Sequence, residues 1–417
     1  MNWIFMYELI VMGVALGIFV VLLRLKLKIG LSMILAACVM ELLLGVSPFR
    51  LWGEFAQEWR DKPLSQTTGY LFVTLAAMLT FVNILGLAMK ETGVSGKLTD
   101  ALLVLFKSRR GAMVGIPMLM GLLPTPGGIM LSAPMVRDLA DSIGVTRSRS
   151  AAINFFFRHQ WEMVWPLFPS IPLIQGMLGI SALALIKHNI VISLCGITGG
   201  ILFLLLSGIP PRKEQRDKAK WLHSLHVFIQ AFWPIGLVAG LHAALNINPA
   251  IGILISVTLF MLVYRIPLER CGHLCRQGFE MDLILLILGA LLFKLNLQAA
   301  GSIAAVVQYF ADIHMPGMIL LFVLPMLVAA LTGLTMPTVA ITFPLLMPYI
   351  GTGAEADIGM QTLAFSGLLC GLYLTPVHLC LSLSASYFEA PLGRIILLLI
   401  GPIACIAMGG ILAAKFL

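Results

Sequence analysis

Gly121-Leu-Leu-Pro-Thr-Pro-Gly-Gly-Ile-Met-Leu-Ser-Ala-Pro134 and Gly333-Leu-Thr-Met-Pro-Thr-Val-Ala-Ile-Thr-Phe-Pro344 read as two copies of one device. Each sets a Pro-Thr pair (Pro124-Thr125, Pro337-Thr338) in a strongly apolar stretch, with glycine before it and proline after it. Helix breakers at membrane depth free backbone groups that lipid cannot satisfy, so such backbone is buried in protein or lines a wet cavity. Paired Gly/Pro-interrupted hydrophobic segments at matching places in two halves point to the binding site of a transporter.

The composition around these segments is that of a membrane protein. Hydrophobic residues make up 59% of the 417 and charged residues 11%, against about 25% charged in soluble domains. Apolar stretches of about 20 residues, enough to span hydrocarbon, recur throughout. The first starts at Ile4 with no basic residue before it. It lacks the positive n-region of a secretory signal and is expected to be a retained span. The net charge of +8 sits in short loops, as the positive-inside rule requires, and implies no nucleic-acid partner. Five of the seven cysteines fall in apolar spans, where a thiol acts as a small hydrophobe, and an odd count argues against a disulfide framework. Cys271-Gly-His273-Leu-Cys275 offers three N/S ligands but no fourth nearby. It reads as an ordinary cytoplasmic loop, and no firm metal site is expected.

Spans are expected at about 4–23, 29–46, 67–89, 150–178, 182–207, 222–245, 249–264, 280–296, 359–387 and 392–415. The broken segments, 111–136 and 315–350, lie between the third and fourth spans and between the eighth and ninth. Arg24, Lys26 and Lys28, Lys107, Arg109 and Arg110, Arg137, Arg147 and Arg149, and the run from Arg212 to Lys220 all fall in loops that one topology makes cytoplasmic. The first broken segment then enters and leaves from the cytoplasm. The second, flanked by Asp312, Glu355 and Asp357, enters and leaves from outside. The expected fold is an all-α polytopic membrane protein: about ten transmembrane helices and two re-entrant hairpins in two five-helix repeats of inverted topology. The first repeat is 1–207, a basic cytoplasmic linker is 208–221, and the second repeat is 222–417. Both termini are expected outside. Ile84-Leu-Gly-Leu-Ala-Met-Lys90 echoes Ile287-Leu-Gly-Ala-Leu-Leu-Phe-Lys294, and each precedes a short amphipathic stretch (96–106 and 300–311) that reads as an interfacial helix.

At the hairpin tips, helix starts with free N–H groups make a natural anion site. Thr125, Ser132, Thr335, Thr338 and Thr342 add hydroxyls, and Pro126, Gly127 and Gly128 complete the first tip. Freed carbonyls beside Thr125 and Thr338 are candidates for Na⁺; two packed, kinked helices are the alternative. The fourth span carries Arg158-His159-Gln-Trp-Glu162 before Pro166, Pro169 and Pro172. Arg158 and Glu162 share a helix face and can pair. Arg158 is an anchor for a carboxylate or phosphonate through its bidentate fork, or half of a structural ion pair; in another reading His159 or Glu162 is a proton carrier. The ninth span holds the corresponding break, Tyr373-Leu-Thr375-Pro376-Val-His378, followed by Cys380 and Ser382. Thr375 joins the substrate set, and His378 and Ser382 the ion-coupling set. Asn83 and Lys294 are weaker candidates. No P-loop, zincin or nucleophile-elbow pattern occurs, so no enzymatic activity and no cofactor beyond a coupling ion is expected.

These parts together resemble the ion transporter superfamily, which includes citrate, dicarboxylate and gluconate permeases and some sodium/proton antiporters. The resemblance covers nearly the whole chain. Leu123-Pro-Thr-Pro-Gly-Gly128 with Arg158-His-Gln-Trp-Glu162 further resembles a prokaryotic membrane family of that group, catalogued as domain of unknown function four hundred and one. The resemblance implies a secondary transporter of a small organic anion, coupled to Na⁺ or H⁺, moving elevator-fashion in the cytoplasmic membrane as a homodimer. It also implies that Thr125 and Thr338 sit at the substrate-binding tips. Dicarboxylate members carry Ser-Asn-Thr there, and this chain has Pro-Thr alone, so neither a dicarboxylate substrate nor its sodium stoichiometry carries over. The alternatives are a cation/proton antiporter without organic substrate and a non-transporting membrane scaffold.

Overall fold

The computed structural model describes residues 2–106, 108–122, 129–207, 209, 218–245 and 247–417; helices fill most of them and no strand occurs among them. The described α-helices fall into two series of ten, in which long and short helices follow a similar sequence. The first is α1 (Asn2–Arg24), α2 (Ile29–Leu44), α3 (Pro48–Asp61), α4 (Thr68–Glu91), α5 (Val94–Leu105), α6 (Arg109–Met120), α7 (Ile129–Asp141), α8 (Arg147–Arg158), α9 (Ser170–Leu178) and α10 (Ala182–Gly200). The second is α11 (Lys218–Leu245), α12 (Pro249–Val263), α13 (Leu268–Gly278), α14 (Met281–Ala300), α15 (Ser302–Asp312), α16 (Gly317–Thr332), α17 (Thr335–Ile350), α18 (Ile358–Leu374), α19 (Leu379–Tyr387) and α20 (Leu392–Phe416). The chain is an all-α polytopic membrane protein.

Among the described residues, seven helices are long and apolar enough to cross a membrane, or eight if α2 and α3, bent by 107° at their junction, count as one span. The count is below the ten expected for a physical reason. Two of the other expected spans, α2 and α12, have 16 and 15 residues. At 1.5 Å per residue they reach about 24 and 22 Å against about 30 Å of hydrocarbon. The third is broken in its middle, between α8 and α9.

Packing between the series comes in reciprocal pairs. Helix α2 packs on α14 and α12 on α4; α1 on α15 and α11 on α5; α3 on α14 and α13 on α4; α9 on α17 and α19 on α7. The seam between α10 and α20 shows this residue by residue. A Cβ at Gly199 would stand 2.8 Å from the Cβ of Cys405, and one at Gly409 would stand 3.0 Å from the Cβ of Cys195. Both helices carry Cys-x-x-x-Gly, and the small residue lets the backbones close.

Two amphipathic helices, α3 and α13, stand where loops were expected. Helix α3 begins on Ser47, whose hydroxyl accepts from Arg50 N, followed by Pro48 at the first position where a missing N–H is harmless. Its Trp52 and Trp59 are exposed, as suits an interfacial helix. Its polar side is tied inward. Glu58 accepts from Lys294 Nζ at 3.0 Å, from Lys62 Nζ at 2.8 Å and from Thr68 N at 2.8 Å, and Lys294 also donates to Thr68 Oγ1 at 3.0 Å. Lys294 therefore joins α14 to α3 and α4. Burial pushes the Glu58 carboxyl up, but the Lys294 ammonium and the bonds from Lys62 and Thr68 outweigh it and bring it down to about 2.

A carboxyl held below its ordinary value near ~4.3 adds stability that is present above that value and is lost as pH falls toward the folded one. Thermal stability in detergent should therefore drop between roughly pH 4 and 2. Lys294→Met should cost about 3 kcal/mol at neutral pH, since it leaves a buried carboxylate short of its partner. An unchanged melting temperature in that variant would refute the role given to this pair.

Candidate functional site

Two interrupted helices meet two helical hairpins at the centre of the molecule. Helix α8 stops at Arg158, a 3-10 turn runs through His159–Trp161, and α9 resumes at Ser170 directly after Pro169. Helix α18 stops because Pro376 forces the preceding Thr375 into extended backbone, with φ −96° and ψ 134°. His378 then opens α19. The first hairpin is α6 and α7. The second, α16 and α17, turns at Gly333-Leu334. The turn lies ahead of the Pro-Thr pair, and Pro337 sits in the first turn of α17, where the helix needs no N–H from it.

Each hairpin is fitted against a broken helix through a glycine. A Cβ on Gly121 would lie 2.0 Å from the carbonyl oxygen of Arg158. One on Gly333 would lie 2.8 Å from the carbonyl carbon of Val377 and 2.9 Å from His378 N. Gly333 also has φ +67°, left-handed backbone that side chains disfavour. The exposed ends of the backbone are then satisfied by side chains. Arg158 Nη1 donates to Met120 O at 2.8 Å and Trp161 Nε1 to Met118 O at 2.8 Å. Thr375 Oγ1 donates to Ala330 O at 2.6 Å, and Tyr373 OH to His159 O at 3.1 Å. Asn189 Nδ2 reaches Met163 O at 3.0 Å, and Ser193 Oγ reaches Gln160 O at 2.9 Å.

The expected Arg158–Glu162 pair does not form. The helix ends at Arg158, so the two side chains no longer share a face, and no ion pair between them occurs among the described residues. Glu162 instead accepts through Oε1 from Thr335 Oγ1, at the start of α17 in the other series. Its Oε2 is buried and has no hydrogen-bond partner among the described residues. A carboxylate at a helix start is favoured by the dipole, so this anion position is already held by a side chain. His159 and His378 face each other, Nε2 to Nε2 at 3.3 Å, beside Phe155 and Tyr373.

The remaining candidates divide clearly. Thr125, Pro126, Gly127 and Gly128 lie outside the described residues. Ser132 Oγ donates to Asn154 Oδ1 at 2.6 Å. Thr338 donates to Leu334 O at 2.7 Å and lies 3.0 Å from Thr332 Oγ1, while Thr342 donates to Thr338 O at 2.7 Å. These hydroxyls serve the second hairpin's own backbone. Ser382 is further out and donates to Pro376 O at 2.7 Å. Asn83 sits on the other side of the fold, 3.4 Å from Gly278 O. Cys271, His273 and Cys275 lie on α13 and not on a loop; Cys271 Sγ points at Ile266 O. Thr332, Tyr373, Asn189 and Gln160 belong to the polar centre although the sequence reading passed over them. Spacing gives no signal for Tyr373 and Asn189, which act on segments 214 and 26 residues away; Gln160 and Thr332 bond to backbone within their own segments.

One cavity adjoins the polar centre and another lies beside α9. The first, of about 310 Å³, runs from Arg24 and Ile29, where α1 meets α2, to Thr332, Leu334 and Pro376. The other, about 250 Å³, lies among Gln66, Tyr70, Gln175, His242 and Asn248, where α4, α9 and the α11–α12 junction approach. The first touches the second hairpin's tip and the second does not.

Gly333→Ala should destabilise the protein by about 1–3 kcal/mol, combining left-handed strain with overpacking against the α18–α19 break. Gly353→Ala serves as the control, because it also has positive φ but meets nothing within 4 Å. Equal melting temperatures for the two variants would refute the fitted contact.

No curated protein matches the sequence. The family described as "Protein of unknown function (DUF401)" matches residues 9–416. With nearly its whole length covered, the chain belongs to that family.

Proposed function

We propose that the chain is a secondary active transporter of a small organic anion of the carboxylate class, coupled to Na⁺ or H⁺. One observation carries the reading: a buried carboxylate, Glu162, stands against the start of α17 with one oxygen unpartnered. Ionisable groups at such depth are expensive and mark ion or substrate pathways. An anion drawn to the same helix start meets the charge of Glu162. Binding H⁺ or Na⁺ at Glu162 removes that repulsion, so anion and cation load together. Arg158, on the same broken helix, supplies positive charge nearby.

Alternating access is supported by a cavity that reaches the second hairpin's tip at Thr332 and Leu334, while a separate one beside α9 does not. In this reading α6–α10 and α16–α20 form a moving core. The other helices form its support, which pairs with that of a second copy in a homodimer. The matched helix order and reciprocal packing support two repeats, and the basic loops beside the first hairpin and acidic flanks of the second support an inverted topology, with the first hairpin opening to the cytoplasm, the second outward, and both termini outside a prokaryotic cytoplasmic membrane. A cation/proton antiporter is the second reading, favoured by the same Glu162 if no organic anion binds.

Cysteines placed at Ser148 and Ala354 should label from opposite faces of oriented vesicles. Labelling from one face would remove the inverted arrangement. A thermal-shift screen of the purified protein against organic acids, with and without Na⁺ and across pH, should find a stabilising carboxylate whose effect depends on the cation. A ligand at a hundred times its Kd adds about 2.7 kcal/mol. Glu162→Gln should still bind that acid but lose the cation dependence. If the dependence survives, Glu162 is not the coupling group; if no organic acid stabilises the protein while Na⁺ or H⁺ does, the antiporter reading replaces the first.

A further inference from the structure

We propose that His159, His378 and Cys380 form a binding site for a single transition-metal ion of the zinc type. The inference goes beyond transport and stands whether or not the chain moves an anion. Its basis is the hydrogen bonding of the two imidazoles. His159 Nδ1 lies 2.6 Å from Phe155 O, and His378 Nδ1 lies 2.8 Å from Gly333 O. A carbonyl oxygen only accepts, so each Nδ1 carries the proton and each neutral ring has its lone pair on Nε2. Those two Nε2 atoms face each other at 3.3 Å. Two lone pairs aimed at one another in a buried site repel, and something positive belongs between them.

The separation identifies it. Two nitrogens each about 2.0–2.1 Å from one tetrahedral ion stand about 3.3–3.4 Å apart. Cys380 Sγ completes a group whose three donor atoms all lie within 4.8 Å of one another. A sulfur and a nitrogen on such an ion are about 3.6 Å apart, within the 4.8 Å that bounds the three donor atoms here. Two imidazoles and a thiolate are a borderline-to-soft donor set that suits Zn²⁺ or Cu⁺ and not Na⁺, Mg²⁺ or Ca²⁺. The Nδ1–H bonds to carbonyls are the outer partners that fix ligating histidines in orientation and tautomer. Three protein ligands leave the fourth position to water or an entering ligand. A cavity lined by Pro376, Val377 and Leu379 adjoins the residues on either side of His378 in the chain. The ligands come from both broken helices, so the ion would cross-link α8 to α19.

The test is a Co²⁺ titration of the full-length protein, purified without a histidine tag, in a C271S/C275S background that removes the thiols of α13. The expected result is one Co²⁺ per chain, with the intense visible bands of a four-coordinate ion and a thiolate-to-cobalt charge-transfer band, both abolished by Zn²⁺. Cys380→Ser should remove the charge-transfer band and keep weaker visible bands. His378→Gln should weaken binding by at least the roughly 10- to 100-fold that loss of an outer partner costs. His378 also holds Gly333, so its variant is read beside its melting temperature. If that variant fails to fold, Cys380→Ser decides alone, because Cys380 makes no hydrogen bond among the described residues. Absence of stoichiometric cobalt, including the case where the imidazole pair takes up only a proton in ¹⁵N spectra, would overturn the proposal. So would a spectrum unmoved by Cys380→Ser.

Discussion

Broken helices inside a membrane protein leave carbonyls and amides with no water to turn to, and the centre of this chain is organised around that requirement. Met118 O and Met120 O at the end of α6, Ala330 O and Gly333 O at the end of α16, and His159 O and Met163 O within the α8–α9 break each accept from a side chain. The donors are Trp161, Arg158, Thr375, His378, Tyr373 and Asn189. In every case the donor comes from another segment, so the breaks hold one another. Take away a donor and the orphaned carbonyl costs about 1–3 kcal/mol.

This requirement separates residues that are polar for the fold from those that are polar for another reason. Thr338, Thr342, Thr375 and Ser382 all spend their hydroxyls on nearby backbone. Glu162 does not: a threonine hydroxyl satisfies one oxygen and nothing satisfies the other. The two imidazoles satisfy a carbonyl each and still present unmatched faces to each other. Burial without full satisfaction is costly, and the roles proposed for these groups rest on it.

Much of this was legible in the sequence. Long apolar runs announce α1, α4, α11, α14 and α20, and Gly/Pro clusters announce both hairpins and both breaks. Helices α3 and α13 were not seen, because a search for apolar windows passes over short amphipathic segments. The Ser47-Pro48 start and the spacing of Trp52, Phe55 and Trp59 were the available signals. The Arg158–Glu162 pair failed because helical spacing was applied across a point where the helix ends. The contacts Glu162–Thr335 and His159–His378 join positions more than 170 residues apart, and no periodicity reports a meeting of that kind.

The seam between α10 and α20 has one further consequence. Cys195 lies over Gly409 and Cys405 over Gly199, so residue i meets residue j and the counterpart of j meets the counterpart of i. That is the self-complementary contact of a two-fold dimer, here contained in one polypeptide. Such a surface owes nothing to the covalent link between its two sides. Two separate half-length chains, each bearing a Cys-x-x-x-Gly helix, would possess the same matching faces, and the segment between α10 and α11 then acts as a tether that raises their effective concentration.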